Sequence, residues 1–348
     1  MPRLRRARHA EPPRLVLLAL ALTVAVPVVP TSFSRVARVP LRRIADVRLP
    51  DSPSRFDYQD VDPTRRRLYV AHLGASKVDV VDLDQLTAVG AVDDVSDVHG
   101  VRVAPDLGVV FASATGSDEV VGIDADTLGL RFRAAAGDFP DGLAYGPTNG
   151  FVFVSNKSSG TLSVLDARTG QLERTIKLSG ETGNVAYDPV DGSVFAAVRP
   201  PDELVRVDPT SGIITARSRL GGCSGAHGLY LEERARLAFV ACERNSRLAV
   251  VDLMTMRQRS LAHVGTSPDV LAYDNSLQRL YVAAESGVIT VFELRASSLA
   301  ALGRGRLAPH AHSVAVDEST HHVLFPLQDI GGRPVLRIMQ PTGEPAPR

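Results

Sequence analysis

The fold class that this sequence predicts is all-β, a seven-bladed propeller, and three observations predict it. A motif recurs at nearly constant spacing, each copy repeats one four-strand grammar, and the composition is rich in turn formers. The segments FDYQDVDPTRRRLYVAH, VHGVRVAPDLGVVFASA, PDGLAYGPTNGFVFVSN, TGNVAYDPVDGSVFAAV, AHGLYLEERARLAFVAC, PDVLAYDNSLQRLYVAA and AHSVAVDESTHHVLFPL align without gaps. Their matching residues Asp57, His99, Asp141, Gly183, His227, Asp269 and His312 lie 42, 42, 42, 44, 42 and 43 residues apart. Periods of this length mark repeat architectures whose units close a common core.

Each copy opens on an alternating apolar strand, passes through a turn such as DPVDG or GPTNG, and continues into a second strand, LYVA, VFVS or AFVA. A short polar loop leads to a third strand ending in an acid, as in KVDVVD, TLSVLD, ELVRVD and RLAVVD. These acids, Asp82, Asp124, Asp166, Asp208, Asp252 and Glu293, are expected to cap the turn that follows. A fourth strand, as in QLERTIKLSG, completes the unit. Four antiparallel strands in about 42 residues make a propeller blade. The seventh copy runs out after PVLRIMQ, and RVPLRRIADVRLP (38–50), ahead of the first copy, resembles the missing strand. It is expected to complete the last blade and so join the two ends of the chain. One domain therefore spans 36–343, with a short tail at 344–348.

Composition narrows the function classes. The 348 residues carry 39 Lys+Arg against 39 Asp+Glu, so no general attraction toward duplex nucleic acid exists. With 44% hydrophobic residues the chain buries a sizeable core, and 28 Gly with 23 Pro suit frequent turns. MPRLRRARHAEPPR is basic and the twenty residues after it, 15–34, carry no charge. Residues 1–35 thus read as a signal peptide or an N-terminal membrane anchor, which places the domain in the periplasm or outside the cell. In such compartments a cysteine pair stays oxidised.

The first residues of each innermost strand line the channel mouth of a propeller. Six of the seven aligned positions there are His or Asp: Asp57, His99, Asp141, His227, Asp269 and His312. Such clusters are candidates for metal or catalysis, while an Asp or His at a strand start also caps turns without further function. Fifteen residues later the second strand returns to the same face at His72, Ala114, Asn156, Val198, Cys242, Ala284 and Leu327. Cross-strand pairing is expected to set Asp57 beside His72, Asp141 beside Asn156 and His227 beside Cys242. Lys157, Arg199, Glu243, Glu285 and Gln328 follow on the rim. His99, His227 and His312 are the candidate metal ligands, and such donors suit Zn, Cu or Fe. Opposite blades are too distant to share one ion; two or three adjacent blades are not.

Both cysteines fall in the fifth copy. Cys242 ends its second strand and Cys223 lies in the entering loop, where the spacing lengthens to 44. A local Cys223–Cys242 disulfide is the leading reading. A Cys, Cys, His metal site and two free thiols remain alternatives.

The second-strand motifs RLYVAH, FVFVSN and RLYVAA, each after a DP-type turn, make the chain resemble the YVTN-repeat, YncE-like β-propeller family. The resemblance implies an exported seven-bladed domain without assigning it an activity, since related propellers include lactonases and haem d1 domains. Taken together, the ligand-binding candidates are Asp57, His72, His99, Asp141, Asn156, His227, Asp269 and His312. The expected role is a monomeric module binding a small ligand or an extracytoplasmic protein through the channel mouth. A metal-dependent, lactonase-like hydrolase is one alternative. A noncovalent haem or metal redox protein using the same ring is the other.

Overall fold

Seven four-stranded antiparallel sheets follow one another along the chain, six of them built from consecutive strands. The computed structural model describes residues 38–343. The leader expected at 1–35 and the tail at 344–348 lie outside them. Among the described residues no helix is long and apolar enough to cross a membrane.

The seventh sheet is the joint. Its inner strands are Ala315–Asp317, His322–Leu327 and Val335–Pro341, and its outermost strand is Leu41–Arg48 from the other end of the chain. The register runs from Leu41 opposite Pro341 to Arg48 opposite Val335, with one bulge between Arg43 and Ala45. Arg337 adds two hydrogen bonds of 2.8 Å to the Asp46 carboxylate across the same pair.

Blade-to-blade packing explains why the second strands are the most apolar. Each contributes one fully buried aromatic ring at its centre: Tyr69, Phe111, Phe153, Phe195, Phe239, Tyr281 and Phe325. Six of them fill the gap to the next blade, as Tyr69 does against Val110 and Ile123, and Phe239 against Leu280 and Phe292. Leu68, Leu324 and Ile338 seal the junction of the last blade with the first. The fourth strands face water and alternate accordingly, as in Leu130–Ala135 and Leu172–Lys177.

Five of the six acids expected to cap turns do so. Asp82, Asp124, Asp166, Asp208 and Asp252 each accept backbone N–H bonds from the residues two and three positions later, for example Asp252 Oδ1 from Met254 at 2.9 Å and Thr255 at 2.8 Å. Glu293 departs from that expectation. Its strand runs on to Arg295 and closes through a two-residue turn, Ala296 and Ser297, both at positive φ. Glu293 therefore sits inside the strand, where it takes a 2.5 Å hydrogen bond from Arg295 Nε.

Candidate functional site

The innermost strands enter the channel through a repeated irregularity. In blades two to six the pairing with the second strand slips by one residue near the start; Val98 faces Ala114 and Val101 faces Ala112. The same slip follows Pro140, Thr182, Ala226 and Pro268. A bulge of this kind re-aims a side chain, and here it holds the ring position itself.

Glycine makes the bulges packable. A Cβ at Gly228 would stand 1.8 Å from the Asp269 carbonyl oxygen, and one at Gly100 would stand 2.2 Å from that of Asp141. Adjacent first strands thus approach backbone to backbone, and the residue before each glycine is set by its neighbour. Gly228→Ala is expected to destabilise by about 1–3 kcal/mol, the range for overpacking a tight interior. A denaturant titration checks this. Gly129→Ala, whose Cβ would meet only Thr127 Oγ1 at 3.4 Å, is the control that should stay near wild type.

The bulge also corrects the expected cross-strand pairs. Asn156 lies opposite Pro140, not Asp141, and Cys242 opposite Ala226, not His227. Asn156 Nδ2 donates to Thr161 and Ser163 within its own blade at 3.0 and 2.9 Å. His72 is fully buried and bonded to Ser54 Oγ at 2.8 Å and Asp79 Oδ2 at 2.9 Å. Both form a layer behind the mouth instead of part of it. Cys242 is bonded to Cys223 at an S–S distance of 2.10 Å, so neither sulfur is a metal thiolate. The entering loop is pinned beside the bridge by Glu243 N–H to Gly225 O at 2.8 Å and Arg244 N–H to Ser224 O at 3.0 Å.

What the mouth does bring together is an arc of alternating imidazoles and carboxylates. His99 Nε2 stands 3.9 Å from Asp57 Oδ2, and His312 Nε2 stands 3.7 Å from Asp57 Oδ1 and 4.0 Å from Asp269 Oδ2. His227 Nε2 lies 3.5 Å from Asp269 Oδ1 at the far end. Asp141 stands apart in the third blade, 3.9 Å from Lys157 Nζ. The three histidines do not share one point: of them only His312 belongs to a donor set, with Asp57 and Asp269, whose atoms all lie within 4.8 Å of one another.

Charges in this arc are strongly coupled. Burial alone would push the His312 pKa down, yet Asp57, Asp269 and Glu285 outweigh it and lift it to about 9. Burial raises the Asp57 carboxyl, but the nearby charge of His312, with His99 and Arg55, prevails and holds it below its ordinary value. Burial wins at Asp269, which rises to about 6 although His227 and His312 oppose the shift. Tyr58, kept protonated by burial, donates to Asp269 Oδ1 at 3.3 Å. Arg55 Nη2 is held by Glu285 at 2.6 Å and also passes 3.3 Å from His312 Nε2.

The hollow above the arc measures about 80 Å³ and is lined by Arg55, Asp57, His99, Asp141, Asp269 and Glu285 among others. That is room for a hydrated ion or the tip of one side chain, and not for a haem macrocycle. Below Tyr58 a second chamber of about 250 Å³ is lined by Gln59, Arg102, Tyr230, Leu271 and Glu318. Sequence reasoning missed it. Its signal was present three residues after the ring position, where Asp60, Arg102 and Tyr230 interrupt a series of alanines, Ala144, Ala186, Ala272 and Ala315.

No family model matches this chain, and no curated protein does either. Among solved structures it is similar to a chain of the Kuenenia stuttgartiensis hydrazine synthase, at a TM-score of 0.71 and 16% identity over 83% of this chain and 96% of that one. It is similar to a chain of a mitotic checkpoint complex at 0.71 and 13% identity, covering 94% of this chain and 100% of that one. The WD40 repeats of RRP9 match at 0.72 and 9% identity, covering 86% and 98%. At these identities the likeness shows the propeller fold and nothing finer.

Proposed function

We propose that the chain is an exported, monomeric propeller of the YVTN-repeat, YncE-like kind that works as a binding module, its channel mouth receiving a positively charged group. One observation carries the reading: the mouth holds two buried carboxylates, Asp57 and Asp269, that no lysine or arginine bonds and that share one protonated imidazole, His312. Glu285 is paired with Arg55 at 2.6 Å, Asp141 faces Lys157 at 3.9 Å, and Glu243 is bonded to Arg199. Asp57 and Asp269, 3% and 8% exposed, have imidazoles and the Tyr58 hydroxyl as neighbours instead. Buried carboxylates in that position favour an incoming cation, because desolvated charge gains most from a partner.

The small hollow limits the occupant to an ion or to one side chain presented by a protein lying across the face. A propeller of similar shape is a component of the mitotic checkpoint complex, which supports a partner-binding use of the architecture. Export is supported by the basic and then apolar start of the sequence together with the Cys223–Cys242 bridge. The test is a photo-crosslinker placed at Lys157 in an exporting host, followed by titration of the partner it identifies. Asp141→Asn should weaken that partner at least about tenfold, the scale for removing a buried charge at an interface, while Lys157→Ala, which leaves Asp141 uncompensated, should not weaken it. Unchanged affinity in Asp141→Asn, with the variant folded, would reject the mouth as the recognition surface.

A further inference from the structure

We infer that Asp57, Asp269 and His312 form a binding site for one divalent transition-metal cation at the bottom of the mouth, with His99 and His227 flanking it. The inference deepens the reading just given, on which it rests for the sign of the occupant's charge.

Backbone hydrogen bonds fix which ring nitrogen of His99 and of His312 faces the axis. Nδ1 of His99 lies 2.8 Å from the Asp97 carbonyl oxygen, and Nδ1 of His312 lies 2.9 Å from that of His310. A carbonyl only accepts, so in both rings Nδ1 carries the hydrogen and Nε2 is the atom presented to the axis. This is the arrangement by which proteins fix the tautomer and orientation of a metal-ligating imidazole. Both Nε2 atoms then point at the oxygens of Asp57, at 3.9 and 3.7 Å. An ion bound there would take the place of the proton that His312 otherwise carries toward Asp57.

Distance and burial also suit a single ion. Donors bound at about 2.0–2.2 Å to a tetrahedral ion are roughly 3.4 Å apart, and the His312 separations of 3.7 and 4.0 Å to the two carboxylates need close by only a few tenths of an ångström. The three residues come from three successive blades, the sixth, the seventh and the first; Asp269 lies in its strand, and Asp57 and His312, just ahead of theirs, are tied in by Asp57 N–H to Ala71 O at 2.9 Å and Val270 N–H to His312 O at 3.3 Å. Asp57 Oδ1 and His227 Nδ1 are buried polar atoms without a hydrogen-bond partner. Mixed imidazole and carboxylate donors select a borderline divalent ion over Ca²⁺ or Mg²⁺. Arg55 passes 3.3 Å from His312 Nε2, but its half-exposed side chain is already paired with Glu285 and can withdraw along that pair.

A second donor set, Asp51, His72 and Asp79, serves as the contrast. There both His72 nitrogens are occupied by Ser54 and Asp79, and Asp51 is held by Lys77 at 2.5 Å. Asp79 Oδ1 is unpartnered there, but no imidazole nitrogen is free to join it.

The experiment uses the full chain, stripped with a chelator and titrated with Zn²⁺ by calorimetry and with Co²⁺ by visible absorption. One ion per chain is expected, with a Co²⁺ spectrum of low coordination number. Asp57→Asn and His312→Gln should each weaken Zn²⁺ at least about tenfold, while Asp51→Asn leaves it unchanged. Circular dichroism and thermal melts establish that each variant is folded. Absence of stoichiometric binding to the folded wild type, or equal affinity in Asp57→Asn and His312→Gln, overturns the inference. Should those variants fail to fold, Mn²⁺ broadening of wild-type amide resonances decides instead: it must centre on Tyr58, His99 and Val270, and broadening centred elsewhere overturns the site. Loss of the metal with partner binding still weakened by Asp141→Asn would remove this inference and leave the recognition surface standing.

Discussion

Deleting Leu41–Arg48 should abolish the soluble folded monomer, the largest effect expected of any change described for this chain. The strand is the outer quarter of the seventh blade, and it alone ties the start of the domain to Val335–Pro341. Without it the apolar face at Leu336 and Ile338, both fully buried, loses its cover, and a row of backbone groups becomes an open edge. Each lost backbone bond removes about 0.5–1.5 kcal/mol, and several are lost at once. That sum is comparable with the whole stability of an ordinary domain. The circular continuity of the ring also goes, so the first and last blades can separate. Size-exclusion chromatography and far-ultraviolet circular dichroism of the deleted protein, with the residues before 41 retained, check the result. A monomer melting cooperatively within a few degrees of wild type would show that the ring does not depend on this strand.

Replacing both cysteines, Cys223→Ala with Cys242→Ala, should lower stability by about 3 kcal/mol, from the loop-closure entropy of a cross-link spanning 19 residues. In a domain of this size that corresponds to a melting temperature roughly 5 °C lower. The fold should survive, because the same loop keeps its hydrogen bonds from Glu243 and Arg244 to Gly225 and Ser224. Asn245 adds a bond from its Nδ2 to Gly222 O at 2.8 Å. The double variant is the right comparison, since a single one would leave a lone thiol free to cross-link. Differential scanning calorimetry of oxidised wild type, reduced wild type and the double variant separates the cross-link from the side chains. Equal melting in all three would mean that the bridge constrains nothing the folded loop does not already hold.

These two predictions concern features of different legibility. The closing strand could be read from the sequence because the seventh copy stops one strand short and the segment at 38–50 has the pattern of the missing piece. The bridge was legible as a leading reading because both thiols fall at one end of one blade. The caps at Asp82 through Asp252 were legible for the same reason, an acid recurring before a turn, whereas Glu293 was misread because its strand runs two residues longer.

The amino-acid sequence by itself determined the number of blades, the strands in each, the joint between the chain ends and the ring position rich in His and Asp. A period of about 42 residues and a side-chain alternation of two are local properties, and they survive whatever the neighbours do. Only the tertiary structure decided which ring residues meet. A one-residue bulge moves Asn156 and Cys242 away from their expected partners, and a slip of one residue reverses every face beyond it. Closure of the ring then sets Asp57, His312 and Asp269 of three adjacent blades within reach of one another and leaves Asp141 with Lys157 across the mouth. The contacts among Asp57, Asp269 and His312 join residues more than 40 positions apart along the chain, so spacing alone cannot rank them.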